Sequence, residues 1–193
     1  MQLTTRQKQI TQIALELIAS GGIQNLTIKN IAAQLKITEP AIYRHFNSKA
    51  EIITAMLRRF ETEADSFVQN PRQTNWNGIE DFLMSRFALV EQNPPLALVL
   101  FAEESFMAET EYAAMMLNMM HRHKDELAIK FKAAQQAGEI RPEIPLDMLF
   151  RIVFGPVRLL IKQWGLANQK FNLMEQGREL CKTLKMILRP QLT

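Results

Sequence analysis

Apolar residues recur along most of this chain at the spacing of a helix, and strict alternation is scarce. Ile10, Ile13, Ala14, Leu17 and Ile18 fall at i, i+3, i+4, i+7 and i+8, the pattern of one buried helical face. They predict a first helix from about Thr5 to Ser20, opened by a Thr4–Gln7 capping box and ended by Gly21-Gly22. A second helix starts after Thr27, a good N-cap, and buries Ile28, Ile31, Ala32 and Leu35. A third, short helix is predicted from Glu39 to about Phe46. Ser48 and Glu51 form a further capping box that opens a long fourth helix, with Ile53, Met56, Leu57, Phe60, Ala64, Phe67 and Val68 on one face.

The periodicity lapses in "QNPRQTNWNG" (69–78), where turn residues gather. Beyond it, five further helices are expected at about 79–92, 95–106, 110–137, 146–167 and 173–189. Pro94-Pro95, Gly138, Pro142, Pro145 and Asn172 punctuate them. The fold class is therefore all-α. Residues 1–50 form an N-terminal three-helix domain and 51–193 a helical body, with the fourth helix shared between them.

The segment "LDMLFRIVFGPVRLLIKQWGLA" is apolar almost all round, with Asp147, Arg151, Arg158 and Lys162 as one narrow polar stripe. Gly155-Pro156 predicts a kink. So little polar surface requires burial on more than one side, and a second subunit is the expected cover. The last helix agrees, with Leu180, Cys181, Leu184, Ile187 and Leu188 opposite Glu175, Glu179, Lys182 and Arg189. The expectation is a homodimer through helices 146–167 and 173–189.

Composition narrows the class. No apolar run approaches the length of a membrane span. The polar start "MQLTTRQKQI" leads straight into an amphipathic helix, so no secretory signal is expected, and a cytoplasmic location fits. The single Cys181 has no disulfide partner and reads as a small buried residue. The net charge of +3 is uneven: residues 1–60 carry eight Lys or Arg against three Asp or Glu. A basic head on a mildly acidic body points to a polyanion at the head alone.

Two short helices joined by a tight turn and preceded by a third make a helix-turn-helix, whose second helix enters the DNA major groove. In "TEPAIYRHFNSKAEI", Ile42 and Phe46 lie four apart and anchor the short helix to Leu17, Ile31 and Leu35. The other face presents Glu39, Pro40, Ala41, Tyr43, Arg44 and His45. Pro40 falls in the first turn, where its missing N–H breaks no bond. Its ring suits a thymine methyl or a sugar. Tyr43 and His45 suit phosphates or base edges, and Arg44 suits guanine or phosphate. Glu39 either accepts from a cytosine amine or repels phosphates. Lys49, with the backbone N–H groups of the fourth helix, suits another phosphate. Thr27, Lys29 and Thr38 complete the expected DNA-binding set. His121 and His123 do not share a helix face and are read as surface and part-buried residues, with no metal site expected.

The stretch "LTIKNIAAQLKITEPAIYRHFNSKAEII" (26–53) resembles the DNA-binding head of the TetR family of bacterial transcriptional regulators. The matching positions are Thr27, Ile31-Ala32, Lys36-Ile37-Thr38, Tyr43-Arg44-His45-Phe46 and Lys49. The match covers about the first 60 residues; the remainder resembles the family only in its helical layout. Lys36 stands where that family usually has glycine. The expectation is a slightly altered turn, with an added phosphate contact as the alternative.

The resemblance implies a homodimeric repressor on a palindromic operator, with a C-terminal domain that dimerises and encloses a pocket for a small, largely apolar effector. Candidate lining comes from Phe82, Met84, Phe87, Phe101, Phe106, Met115, Met116, Met119, Met120, Phe154 and Trp164. Of these, Phe87, Phe101, Met116, Met120 and Trp164 are the expected ligand contacts. A different class of function on the same scaffold is a DNA-binding interaction protein of the nucleoid-occlusion type, whose effector is a protein. No phosphate loop, metal cluster, nucleophile elbow or triad is recognisable, so neither an enzyme nor a cofactor is expected.

Overall fold

The structure, a computed structural model, describes residues 3–68, 73–99 and 110–190. Among these it is all-helical: α1 (Thr5–Asn25), α2 (Ile28–Leu35), α3 (Glu39–Tyr43), α4 (Lys49–Ser66), α5 (Trp76–Gln92), α6 (Leu96–Val99), α7 (Thr110–Gln136), α8 (Leu146–Leu166) and α9 (Leu173–Leu188). Each expected helix is present in its described part. The helix expected at 95–106 is described only as α6.

The chain divides into two compact units. One comprises residues 1–63 with 95–116, the other 64–94 with 117–193. The packing thus draws its line inside α4, later than residue 50. The reason is visible on α4 itself: Ile52, Ile53, Met56, Leu57 and Phe60 are all buried, so most of that helix contributes to the first unit's core.

In the first unit, α1 packs on α2 and on α6, and α2 packs on α3. The Thr4–Gln7 capping box forms in both directions. Continuous helix stops at Gly21-Gly22, and Gly22 at φ 70 needs a residue without a Cβ. A last short turn then carries α1 to Asn25. Arg59 fastens α4 to α1 by donating from Nη1 to the Lys8 carbonyl (3.0 Å) and to Thr11 Oγ1 (3.3 Å).

In the second unit, α9 packs on α5 and α8, and α5 also packs on α8. Gly177 of α9 is where Phe87 of α5 lies: a Cβ there would stand 2.6 Å from the ring. The turn before α5 is pinned by Glu139, whose carboxylate accepts from the Trp76 backbone N–H (2.7 Å). Pro156 lies inside α8, which continues as one helix through it.

Candidate nucleic-acid interface

The candidate interface is built from the α2–α3 pair. Thr27 caps α2, its Oγ1 accepting from the Asn30 N–H at 3.0 Å. Ile31 and Ala32 are buried, while Thr27 and Lys29 are exposed at the helix start. At the far end Lys36 adopts φ 54, ψ 45. The Ile37 N–H reaches the Ala32 carbonyl (3.0 Å) and the Lys36 N–H the Ala33 carbonyl (3.2 Å). That is the Schellman arrangement, with lysine in the left-handed position that glycine usually fills.

The expected altered turn is therefore corrected: the turn keeps its left-handed residue and a lysine bears the strain. Such a conformation costs an L-residue about 1–2 kcal/mol. Two backbone hydrogen bonds and the burial of the flanking helix hold it there.

α3 is five residues long, three shorter than expected. Past Tyr43 the chain tightens, and the N–H groups of His45 (2.9 Å) and Phe46 (3.1 Å) both turn to the Ile42 carbonyl. This lets Ile42 and Phe46 both bury fully while the chain reverses toward α4. Burial of two such side chains contributes about 1.5–3 kcal/mol each, which is what holds so short a helix in place. Gln7 of α1 secures the same end, its Nε2 donating to the His45 carbonyl at 3.2 Å.

With that face anchored, the opposite one is open. Thr38, Glu39, Pro40, Tyr43 and Arg44 are exposed, and Ala41 and His45 are half-buried. Tyr43 is 51% exposed, a large value for an aromatic residue beside a core. At the start of α4, Ser48 Oγ accepts from the Glu51 N–H (3.1 Å). The Glu51 carboxylate takes the Asn47 N–H (2.6 Å) and side-chain amide (3.1 Å). The expected box is corrected in its second half, since Glu51 reaches one residue past Ser48. Half-buried Lys49 donates from Nζ to the Ile23 carbonyl at 3.2 Å, so the end of α1 positions its ammonium. The structure thus brings Thr38 to Lys49 together around α3, with Thr27 and Lys29 at the other end of α2.

In the second unit, Phe87 is buried against Gly177. Trp164 is buried and donates from Nε1 to the Phe171 carbonyl (2.9 Å). Met116 is buried within the stretch of α7 that belongs to the first unit, and Met120 is half-buried. Phe101, Phe106 and the side chain of Met115 lie outside the described residues.

A cluster missed by the sequence reading surrounds Arg86 of α5. Its guanidinium lies over the Phe82 ring, 4.2 Å from the centroid. Its Nη2 meets Asp65 Oδ1 at 3.1 Å and Glu126 Oε2 at 4.0 Å. Nε and Nη1 are buried without a hydrogen-bond partner, and each such group costs about 1–3 kcal/mol. His123 of α7 stands edge-on to Phe82 and tilted against Phe154, 5.6 Å from each. Phe154 in turn stacks on Phe150 (5.2 Å). Burial, then the Arg86 and Arg122 cations, pushes the His123 pKa down to about 3. The available signal was an arginine one turn after Phe82, on the same apolar face of α5 as Leu83, Leu89 and Val90.

Cys181 is buried, and burial followed by the Glu80 charge raises its pKa to about 12. It is an inert thiol. Among the described residues no group of three His, Cys, Asp or Glu side chains could hold a metal, and no helix is long and apolar enough to cross a membrane.

A short helix held by two apolar side chains, with its polar face outward behind a capped partner helix, defines a DNA-binding helix-turn-helix protein. Residues 10–56 match the model of the family described as "Bacterial regulatory proteins, tetR family". Its N-terminal head therefore matches that family's DNA-binding domain in sequence. It is 26% identical over 152 residues to the nucleoid occlusion factor SlmA of Haemophilus influenzae, covering 77% of this chain and 67% of that protein. It is 21% identical over 172 residues to the fatty acid metabolism regulator protein of Bacillus subtilis, covering 86% and 87%. In fold it is similar to the fatty acid degradation regulator FadR from Bacillus halodurans, with TM-score 0.84, 17% identity and coverage of 99% and 100%. It is also similar to FadR from Bacillus subtilis, solved in complex with stearoyl-CoA, with TM-score 0.75, 18% identity and coverage of 92% and 96%. These relatives and this fold are those of regulators rather than enzymes.

Proposed function

We propose that the chain is a homodimeric, cytoplasmic transcriptional repressor, released from a palindromic operator by a small, largely apolar effector. The observation that carries this is the α3 face: Tyr43 and Arg44 stand exposed on a helix whose opposite side is fully buried. In this reading residues 1–50 bind DNA and 51–193 regulate and dimerise. Thr27, Lys29, Thr38, Glu39, Pro40, Ala41, Tyr43, Arg44, His45 and Lys49 meet the duplex. Base edges fall to α3, and phosphates fall to Lys29, Lys49 and the amides of α4.

Support for a dimer comes from α8. Met148, Ile152, Leu159 and Leu166 are exposed. With Gly155, whose absent Cβ faces open space, they follow i, i+4, i+7, i+11 and i+18 along one face. Met186 and Ile187 expose further apolar surface on α9. An identical face on a second copy is the natural cover, and a Leu159→Arg chain should sediment as a monomer. Support for an apolar effector comes from the fold's likeness to a regulator solved with stearoyl-CoA.

The likeness to a nucleoid occlusion factor favours a second reading, in which the effector is a protein partner. Selection of genomic DNA by the purified protein separates the two. One or a few palindromic sites beside an operon support the repressor. Many dispersed sites support the second reading, and no site-specific retardation would sink both.

A further inference from the structure

We propose that Arg86 is an anion-binding element inside the body, taking the carboxylate or phosphate of an effector whose apolar part lies along the neighbouring aromatic rings. The inference rests on the ligand-responsive reading above and assigns a head group to the effector.

The Arg86 side chain is more than nine-tenths buried. A guanidinium carries five N–H donors in a fixed planar fork and no acceptor. Among the described residues only Nη2 meets oxygen; the Nε–H and both N–H groups of Nη1 have none. The carboxylates at Nη2 belong to side chains that are 64% and 45% exposed, so they reach Arg86 from the solvent side. The donors left over are shut off from solvent. An acceptor for them has to reach the buried side of the guanidinium.

The surroundings fix the rest of the chemistry. One face of the guanidinium is covered by Phe82, which satisfies charge but accepts no in-plane hydrogen bond. Next to it run His123, Phe154 and Phe150, an unbroken line of ring contacts from α5 through α7 to α8. No acidic side chain belongs to that line. A desolvated arginine beside a run of rings matches an anion with an apolar tail. Carboxylate and phosphate share the needed geometry, since both accept from the guanidinium in its plane.

Binding also has somewhere to act. Asp65, the hydrogen-bonded acceptor now on Arg86, sits in the last turn of α4, the helix that starts at Lys49. An incoming anion competes with Asp65 for the same cation. Occupancy therefore loosens the tie between the end of α4 and α5.

The test uses the full chain and three probes with one tail: dodecanoate, dodecanoyl-coenzyme A and 1-dodecanol, measured by titration calorimetry. The wild type is expected to bind at least one anion about tenfold or more tighter than the alcohol, the worth of a charge-assisted hydrogen bond. Preference for dodecanoate names the carboxylate as the head group, and preference for the thioester names the phosphates. Arg86→Met keeps the stem over Phe82 and should erase the anion's advantage over dodecanol. Asp65→Asn, at an exposed carboxylate, keeps the arginine and the packing. It should raise anion affinity severalfold by removing the competitor.

An anion preference that survives in Arg86→Met overturns the assignment, as does an Asp65→Asn chain with unchanged anion affinity. Dodecanol bound as tightly as both anions also overturns it, while leaving an apolar effector in place. Failure of all three probes to bind the wild type overturns the effector reading itself.

Discussion

The α2–α3 head and the Arg86 cluster both display cations, yet they are built in opposite ways. In the head, the apolar residues are sunk and the polar ones stand in water, so Arg44 keeps its hydration. In the body, Arg86 is already stripped of water, held over a ring and short of acceptors. A surface cation suits a long polyanion read by many weak contacts. A buried, under-satisfied one suits a small ligand that brings the missing acceptors. The same side chain suits two different kinds of ligand because burial differs.

The contrast is most easily broken at its anchor. Phe46→Ala removes a fully buried ring from the turn that follows a five-residue helix and should cost about 3–5 kcal/mol. Denaturant unfolding monitored by circular dichroism would measure it, and operator retardation should vanish with it. A chain that retained both would show that α3 does not depend on its apolar face.

A smaller effect is expected at the exposed cation. Arg44→Ala should lose about 1–3 kcal/mol of binding at one base pair and relax specificity there, with no change in melting temperature. Binding competitions over single-base operator variants would detect it. Uniform loss across all variants would reassign Arg44 to phosphate.

In the body the corresponding probe is pH. The folded pKa of His123, about 3, lies below its unfolded value near 6.5. Below that unfolded value the unfolded chain binds a proton that the folded chain refuses. His123 therefore contributes no penalty above about pH 6.5, and stability falls as pH drops from there toward about 3, by up to ~1.4 kcal/mol per pH unit. His123→Phe should flatten that slope in acid denaturation series. An unchanged slope would mean that other groups control acid unfolding.

The smallest effect sits in the turn. Lys36→Gly relieves a left-handed lysine and should stabilise the head by roughly 1 kcal/mol, read as a higher denaturation midpoint. The salt dependence of DNA binding should then report what the lysine does. A slope lower by about one would give it a phosphate, and an unchanged slope would leave it without a role on DNA.

Much of this molecule is legible one element at a time. Helical periodicity places all nine described helices, because a 3.6-residue repeat of apolar positions is a local property. The exposed face of α3 follows from Ile42 and Phe46, since two apolar residues four apart leave only one way for Tyr43 and Arg44 to point. Lys36 could be flagged by its position, but its φ could not be read. A strained backbone survives only if hydrogen bonds from other residues hold it, and here those are the carbonyls of Ala32 and Ala33. α3 ends earlier than the apolar spacing predicts for a similar reason, because Phe46 continues that spacing while its N–H already belongs to a tighter turn.

By itself, then, the sequence determined an all-helical chain with a helix-turn-helix head and the side chains that face outward from it. Those features depend on neighbours within a few residues. Only the tertiary structure decided where the packing boundary falls inside α4 and which residues surround Arg86. Asp65, Phe82, Arg86, His123, Glu126 and Phe154 come from four helices. Nothing in their separate periodicities says that they meet, because burial of a charge is a property of what packs around it.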